Sequence, residues 1–477
     1  MISRPVAVAA CLVLFGAAAC APKSEYQPPL PAQPPAFSDN ANWKPAQPGD
    51  EAARGSWWDL FGDPALAALE AKIDVSNQTL KVADARFAQA RAVVRGANAD
   101  LYPQAVFAPA ITAARQSANR PGGSAHQAYV DLLLPIDASY EADVWGRLHG
   151  IVASARAAAQ ATAADLETAR LSLHAELAFD YFVLRGIDRE QEILDRAVMS
   201  YSQALELTQN RFRGGLSSGA DVAQAETQLE TTRVQAVDIR VERAALEHAI
   251  AILVGELPAT FRIPPSPFDA APPAVPIGLP SDLLERRSDI AAAERRVASA
   301  FADVGVAQSA FYPRLTLSAT AGFESTSFGS WLATASHFWT AGPAAVINVL
   351  DFGRRRAAAA EARAAYTAAA ATYQDSVLTA FREVEDELST LRVLEEESAI
   401  QDRAIAASER SLTLANNRYR GGVASYLEVI TAQAFALNNQ RAGVSLVARR
   451  MTATVRLMKA LGGDWRAAQL PVVAPPH

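Results

Sequence analysis

The sequence predicts a mixed α and β fold, built as an internal tandem duplication in which very long antiparallel helices accompany short strands. Two observations carry this prediction. Four landmarks recur in the same order, 207 or 210 residues apart, and each copy holds a long stretch without proline. The recurring pairs are Leu101-Tyr102-Pro103 with Phe311-Tyr312-Pro313, Trp145-Gly146-Arg147 with Phe352-Gly353-Arg354, Arg211-Phe212-Arg213-Gly214-Gly215 with Arg418-Tyr419-Arg420-Gly421-Gly422, and Val254-Gly255 with Leu461-Gly462. A repeat of this kind indicates two structural units of one design.

The duplication divides the chain into five predicted parts. Each repeat should contain a helix, a pair of strands, a long helix and a returning helix. The parts are a signal peptide over 1–19, a lipidated proline-rich strap over 20–62, a first repeat over 63–275 with strands within 101–145, a second repeat over 276–465 with strands within 311–352, and a tail over 466–477.

The N-terminus is typical of an export signal. Arg4 precedes an apolar run that is too short to cross a bilayer stably and that ends in small residues. The run closes with Ala17-Ala18-Ala19-Cys20, which predicts a covalent lipid, such as palmitate, on Cys20. Cys11 fits the local pattern but leaves almost no apolar core before it, and an ordinary secretory signal is the alternative. The following prolines predict an extended tether, and Ala21 favours an outer-membrane address.

The first repeat should begin with a helix over 64–100, because Pro64 suits a first turn and Pro103 ends the helical pattern. A second helix, free of proline, should run from Arg147 to Arg213. At ~1.5 Å per residue such a helix is on the order of 100 Å long, and its second half carries a coiled-coil seam.

A pair of glycines ends each long helix. Gly214-Gly215 predicts a sharp reversal into a returning helix over about 218–253. The second repeat follows the same plan, with a helix to Ala310, a long helix over 354–420 and a return over 424–461.

Four amphipathic strands should lie between these helices, two in each copy. Apolar and polar residues alternate over 130–141 and over 315–323, and weaker partners lie near 104–113 and 340–350. Strands of roughly ten residues with this alternation suit a membrane barrel. Four strands cannot close a barrel alone, and two chains would give eight strands whose interior side chains fill. Three chains give twelve, so the arithmetic favours a homotrimer.

Composition excludes several classes of function. The formal net charge of -7 gives no electrostatic support for nucleic-acid binding. Cys11 and Cys20 are the only cysteines, and no two of the six histidines have the spacing of a helical zinc motif. We therefore expect no metal, no cofactor apart from the lipid on Cys20, and no enzymatic activity.

A thirteen-residue motif connects the chain to a known family. Gly278-Leu279-Pro280-Ser281-Asp282-Leu283-Leu284-Glu285-Arg286-Arg287-Ser288-Asp289-Ile290 closely resembles a signature of the TolC/OprM-type outer-membrane efflux lipoproteins, also called NodT-like, in which proline usually stands where this chain has Ser288. The resemblance implies a homotrimer with a twelve-stranded outer-membrane β-barrel that continues into a periplasmic α-barrel. It also implies service as the exit channel of a tripartite RND-type efflux pump, with roles in antibiotic resistance.

The same resemblance assigns roles to the glycine turns. The two turns become periplasmic tips that dock an adaptor (membrane fusion) protein, and the pump's inner-membrane transporter is contacted directly or through that adaptor. The expected docking residues are Arg211, Arg213, Gly214, Gly215, Arg418, Arg420, Gly421 and Gly422. The second tip is also expected to close the tunnel, with Leu427 at an apolar ring position, Thr431 where an acidic residue is frequent, and Glu428 as the candidate for the missing charge. A plain helix reversal and a solvated helix face are the alternatives.

Two other functions fit parts of the pattern. The outer-membrane duct of a type I protein-secretion system would share the fold. A periplasmic coiled-coil adaptor or structural lipoprotein would share the hairpins and the anchor but would lack two tandem copies and four amphipathic strands. The identity of the exported substrate does not follow from the sequence.

Overall fold

The computed structural model describes residues 26–27, 56–115, 128–266, 272–273 and 286–463. The signal peptide, Cys20, the predicted repeat boundary at 275–276 and the tail lie outside these residues, so those assignments stay predictions. The α-helices of the described part are α1 (Pro64–Ser76), α2 (Gln78–Ala99), α3 (Arg147–Arg213), α4 (Gly219–Leu253), α5 (Ser288–Ser309), α6 (Arg354–Arg420) and α7 (Tyr426–Ala460). The strands are β1 (Gln104–Phe107), β2 (Ala110–Arg115), β3 (Ala128–Ala142), β4 (Arg314–Ser325) and β5 (His337–Val346), and the 3₁₀ helices are Trp57–Phe61, Phe328–Ser330 and Thr334–Ser336.

Corresponding helices of the two halves have equal lengths, and the mixed α and β class is confirmed. The long helices α3 and α6 have 67 residues each. The returning helices α4 and α7 have 35 each, and α2 and α5 have 22 each. Both long helices end at the predicted arginines, because a glycine follows each of them.

The single helix predicted over 64–100 is wrong, since Asn77 separates α1 from α2. Asn77 has an extended backbone (φ -65°, ψ 125°), and its side chain accepts a hydrogen bond from the Leu80 N–H at 3.0 Å. Its amide also donates to the Leu253 carbonyl at 2.8 Å. The break is therefore an N-cap for α2, held against the end of α4, and apolar spacing alone does not reveal it.

The strands form one antiparallel sheet in the order β1–β3–β4–β5, with β2 also paired to β3. Four strands per chain were predicted, whereas the described residues contain five. The extra strand arises because Ala108 and Pro109 interrupt the first one; proline has no N–H to donate to the ladder. β1 and β2 keep one register on β3, with Gln104 opposite Ser139 and Ala110 opposite Leu133, so five strands occupy four positions. β5 ends at Val346, short of the predicted 350.

The helices lie side by side in a row. α3 packs along α2 and α4 of its own half and along α5 and α7 of the other half. α6 packs along α5 and α7, and within the described residues it has no extensive contact with any other helix. In each half, two shorter helices thus share the length of a long one.

The main apolar core lies where the shorter helices meet. Trp57, Leu66 and Ile73 pack there against Tyr181 and Phe182 of α3, together with residues of α4 and α7. Of these residues, Trp57 lies at the C-terminal end of the predicted strap, and its side chain is buried in this core.

A buried hydrogen bond ties α1 to α3 beside this core. His174 Nδ1 lies 2.7 Å from Glu70 Oε2, and the Trp58 ring stacks on the imidazole at 4.5 Å. Burial raises the pKa of Glu70 to about 7. The pair fixes the N-terminal helices on the long helix.

The end of the thirteen-residue motif joins four helices. The buried Arg287 guanidinium donates to Glu383 of α6 at 2.7 Å and to the Ala460 carbonyl at the end of α7 at 3.0 Å. Ser288, which replaces the usual proline, lies 2.7 Å from the Thr168 hydroxyl of α3. A proline could not make this bond, so the departure from the family pattern has a local structural reason.

Candidate functional site at the two helical turns

The two glycine turns have the same backbone hydrogen bonds. Each is a Schellman reversal, in which the second glycine takes a left-handed conformation and two amides bond back to the helix. Gly215 has φ +68° and Gly422 has φ +74°. The bonds are Gly215 N to Phe212 O (2.9 Å), Leu216 N to Arg211 O (2.8 Å), Gly422 N to Tyr419 O (3.0 Å) and Val423 N to Arg418 O (3.0 Å). Gly214 and Gly421 are the C-caps just before these residues.

Arg211 connects the first turn to the second. Its Nη1 donates to the Tyr419 carbonyl at 3.2 Å, and the guanidinium carbon lies 4.7 Å from the centre of the Tyr419 ring. A cation over an aromatic face is stabilising, more so when it is partly desolvated. The predicted docking residue Arg211 therefore faces the other turn instead of pointing fully into solvent.

An aromatic cluster lies beneath the second turn. The sequence did not predict it as part of a functional site. The Tyr419 and Tyr426 rings are 5.3 Å apart, and both side chains are buried. Burial raises the pKa of Tyr426 to about 12, so the phenol stays neutral at physiological pH. Ala225, Ala415, Val429 and Ala432 complete the cluster. The sequence difference that could have indicated this cluster is Tyr419, which stands where the first repeat has Phe212, a half-exposed residue.

The two turns differ where the returning helix begins. In the first, Ser218 and Asp221 form a capping box, with Asp221 Oδ2 accepting from the Ser218 N–H at 2.9 Å. This backbone bond lowers the pKa of Asp221. In the second, the N-cap Ser425 makes no side-chain cap bond. Glu428, the counterpart of Asp221, lies 3.6 Å from Arg418 across the turn.

The predicted gate residues lie on the first two turns of α7. Leu427 is exposed, with 58% of its surface accessible, whereas its neighbours Tyr426 and Val429 are buried. The Thr431 hydroxyl donates to the Leu427 carbonyl at 2.9 Å, which satisfies it within the helix. The structure thus brings Leu427, Glu428 and Thr431 together on one short segment beside the aromatic cluster.

The remaining predicted docking residues stay close to their own turns. Arg213 hydrogen-bonds Asn210, and Arg418 pairs with Glu428. Arg420 and the four glycines are exposed. None of these contacts tests the docking role, which stays a prediction.

A part of the strap docks on α5. The Tyr26 hydroxyl donates to Glu294 Oε1 at 2.8 Å, and the Tyr26 ring lies 5.5 Å from that of Phe301. Burial and the neighbouring carboxylate raise the pKa of Tyr26. The chain six residues beyond Cys20 is therefore attached to the helix that leads into β4.

No described helix combines the length and the apolar character needed to cross a membrane. No group of three or more histidine, cysteine or acidic side chains in the described part is arranged to hold a metal ion.

Comparison with known proteins identifies the family. The family described as "Outer membrane efflux protein" matches residues 71–256 and 279–463, one segment in each half. The pyoverdine export outer membrane protein OpmQ of Pseudomonas aeruginosa is 31% identical over 86% of this chain and 88% of its own length. The toluene efflux pump outer membrane protein TtgC of Pseudomonas putida is 30% identical over 94% of this chain and 93% of its own length.

Solved structures agree with this match. The outer-membrane channel OprN superimposes with a TM-score of 0.87 at 29% identity, covering 94% of this chain and all of that one. The outer membrane protein VceC of Vibrio cholerae superimposes with a TM-score of 0.80 at 28% identity, over 86% of this chain and 99% of that one. With two matched segments that together cover most of the chain, this protein belongs to the outer membrane efflux protein family.

Proposed function

We propose that this protein is the exit channel of a tripartite, RND-type efflux pump, a passive conduit in the outer membrane that opens and closes at its helical tips. The observation that carries the proposal is that each long helix packs along a returning helix and that both edges of the antiparallel sheet are open within the described residues. Relatives named for pyoverdine export and toluene efflux favour small molecules over a secreted protein as cargo.

The sheet supports a homotrimer with a shared barrel. β5 forms one edge of the sheet, and β1 and β2 form the other. An open edge offers a row of backbone groups to another chain, and three copies supply twelve strand positions, enough for an open interior. Large apolar side chains on these strands are exposed in the single chain and would contact outer-membrane lipids or a neighbouring copy; they are Val106, Phe107, Ile111, Trp339 and Val346.

The contacts at the two tips are evidence in favour of a gate that is held shut by interactions within each protomer. Arg211 and the Tyr419–Tyr426 cluster hold the second turn against the first, and this places Leu427 on an exposed face. Glu428 has Arg418 beside it, so its charge is offset. Closure therefore depends on the apolar ring of Leu427, with little contribution from a charged ring. A periplasmic adaptor protein docks on the outer surface of the same turns and opens them, and links the channel to an inner-membrane transporter.

Deletion of the gene tests the proposed function. We expect the deletion strain to become more sensitive to a panel of antibiotics, dyes and solvents, with secretion of proteins into the medium unchanged. Re-expression of the chain should restore resistance. Unaltered susceptibility together with loss of a secreted protein would assign the chain to a protein-secretion duct, and recovery in a soluble or inner-membrane fraction would contradict a channel.

Arg211→Ala should open the tip. The substitution removes a charged hydrogen bond worth about 1.5–3 kcal/mol and the ring contact with Tyr419, so the open state should gain roughly tenfold to a hundredfold in population. Single-channel recording in planar bilayers measures this. Arg213→Ala is the matched control, since Arg213 bonds only within its own turn. Equal behaviour of the two variants would remove Arg211 from the gate.

Leu427→Ala should raise the conductance of the closed channel, because it widens an apolar constriction formed by three copies of the side chain. The measurement is again single-channel current, compared with Leu216→Ala. Leu216 is also exposed, at 72% against 58% for Leu427, but belongs to the first turn. A conductance that does not change in Leu427→Ala would exclude this residue from the constriction.

Cys20→Ser should abolish metabolic labelling of the protein with palmitate, whereas Cys11→Ser should leave it intact. The docked Tyr26 supports this assignment: six residues reach about 20 Å when extended, while Phe301 lies about 12 Å from the end of α5 at ~1.5 Å per residue. Cys20 is thus within reach of the level where the sheet begins. Labelling that persists in Cys20→Ser would place the lipid elsewhere.

A further inference from the structure

The connection from the last strand to the second long helix differs in charge from its counterpart in the first repeat. The two connections correspond at a spacing of 207 positions, with residues 141–149 in the first repeat and residues 348–356 in the second. The first has two carboxylates, one arginine and one histidine, whereas the second has one carboxylate and three arginines. The second connection is therefore cationic where the first is not.

The charged groups of the first connection are paired with one another. The Arg147 guanidinium donates to both carboxylate oxygens of Glu141, at 2.8 and 2.7 Å. Asp143 Oδ2 accepts from the backbone N–H of His149 at 2.8 Å and lies 2.6 Å from its ring Nδ1. This connection therefore satisfies its own charges.

The second connection has lost both of these carboxylates. Asn348 and Leu350 stand at the two positions. The side chains of Arg354 and Arg356 are exposed, and in the described part of the chain neither guanidinium has a hydrogen-bond acceptor. The first turn of a helix carries partial positive charge, so α6 itself does not compensate them. Two positive charges are thus left without a counter-charge.

The one remaining carboxylate is occupied by the third arginine. Asp351 Oδ2 accepts from the Arg355 backbone N–H at 3.3 Å and from its guanidinium Nε at 2.5 Å. The Arg355 guanidinium also lies over the Phe311 ring, 5.6 Å from its centre. Arg355 therefore has partners within the chain, which its two neighbours lack.

Another unpaired arginine lies at the same level of the sheet. Arg314 begins β4 and stands opposite Val346, the last residue of β5. Its side chain is exposed and has no acceptor among the residues that the structure describes. Its counterpart in the first repeat, 210 positions earlier, is the uncharged Gln104. Arginines without a partner at this end of the sheet are thus a property of the second repeat.

Large apolar side chains lie beside these arginines. Val349 is 89% exposed and Leu350 is 74% exposed, and both follow Val346, which is also exposed. Arginine stems pack along apolar surface while the guanidinium stays in contact with polar groups. Exposed apolar side chains next to unpaired arginines therefore suit the boundary of a bilayer, where acyl chains meet phosphate groups.

The place of this segment in the fold favours a membrane as the occupant. The segment follows β5 directly, and α6 begins eight residues after β5 ends. In the proposed channel the sheet lies in the outer membrane and the helices extend into the periplasm. The connection then lies at the level where the bilayer ends.

The N-terminal strap leads towards the same level. The Tyr26 ring lies 5.5 Å from that of Phe301, which in turn lies 5.9 Å from that of Tyr366 on α6. Tyr366 is twelve residues from Arg354, or about 18 Å along the helix. The six residues from Tyr26 back to Cys20 reach about 20 Å when extended. A lipid on Cys20 would therefore enter the membrane near these arginines.

We propose that Arg314, Arg354 and Arg356 bind the phosphate groups of anionic phospholipids at the membrane surface. Val349 and Leu350 contact the acyl chains beside them. The inference rests on the proposed placement of the sheet in the outer membrane, and it adds the class of lipid and the residues that hold it. An arginine donates two parallel hydrogen bonds to a phosphate group. The paired charges of the first repeat leave no such donor free, so each protomer holds these lipids at its second repeat.

Arg314→Gln, Arg354→Gln and Arg356→Gln, combined in the full chain, test the headgroup contact. The probe is phosphatidylglycerol, titrated into the detergent-solubilised protein and compared with phosphatidylcholine that has the same acyl chains. Bound lipid is counted by native mass spectrometry. An arginine near an anionic lipid contributes roughly fivefold in affinity, so the triple variant should bind phosphatidylglycerol on the order of a hundredfold more weakly. Binding of phosphatidylcholine, which has no net charge, should be nearly unchanged.

Arg382→Gln, Arg403→Gln and Arg410→Gln together form the matched control. They remove the same charge from exposed positions of α6 that are distant from the sheet. The control should bind phosphatidylglycerol as the unaltered protein does. An equal loss in both triple variants, or an equal loss for both lipids in the first, would overturn recognition of the headgroup by these three arginines.

Leu350→Gln tests the acyl-chain contact. It should weaken the binding of both lipids to a similar extent, roughly tenfold, because burial of a leucine does not depend on headgroup charge. Leu378→Gln is the control, since Leu378 is 65% exposed on α6 but lies far from the sheet. Binding that is the same in the two variants would remove Leu350 from the bilayer.

Two further measurements separate the possible failures. If the arginine variant keeps its affinity for phosphatidylglycerol but its oligomer dissociates at a lower temperature, these side chains contact a second copy and the lipid contact is wrong. If the unaltered protein is absent from the outer-membrane fraction, the proposed channel is wrong. Recovery there, with equal lipid binding by the unaltered protein and the arginine variant, would overturn the lipid contact alone. Arg356→Gln by itself, with an expected fivefold loss, replaces the triple variant if its circular dichroism spectrum shows misfolding.

Discussion

The long helices depend on a continuous apolar stripe that another helix must cover along their whole length. A helix of 67 residues cannot bury this stripe against a single globular core, and isolated helices gain little stability without such packing. The chain meets the requirement by aligning two shorter helices with each long one. The sheet, the turns and the helix junctions all follow from this arrangement. Each shorter helix must begin or end at a position where the connecting segment can leave the row of helices.

Polar interactions are concentrated where one shorter helix ends close to the start or end of another. Asn77 links the break between α1 and α2 to the end of α4, and Arg287 links the start of α5 to α6 and to the end of α7. Breaking a buried, hydrogen-bonded charge pair is strongly destabilising, because one charge is left without a partner. The place of Arg287 in the thirteen-residue motif is therefore explained by helix alignment, at a distance from the tips where gating is proposed.

The duplication produced two tips with the same backbone conformation but different side-chain contacts. The Schellman bonds are the same in both turns, but Asp221 is held in a capping box while Glu428 pairs with Arg418. Tyr419 is buried where Phe212 is half exposed. The first tip thus has a satisfied helix start of its own, and the second gains its order from contacts with the first. In the proposed gate, the second tip is therefore the one that moves.

The sequence by itself determined the repeat, the length of the long helices and the position of both turns, because glycine, proline and apolar period act locally. It also indicated the family, through the thirteen-residue motif that ends at Ile290. Only the tertiary structure decided that Asn77 divides a helix, that Pro109 divides a strand, and that Arg211 reaches Tyr419. These features depend on what lies beside a residue in space, since the Leu253 carbonyl, the β3 ladder and the second turn are all distant from them in the chain.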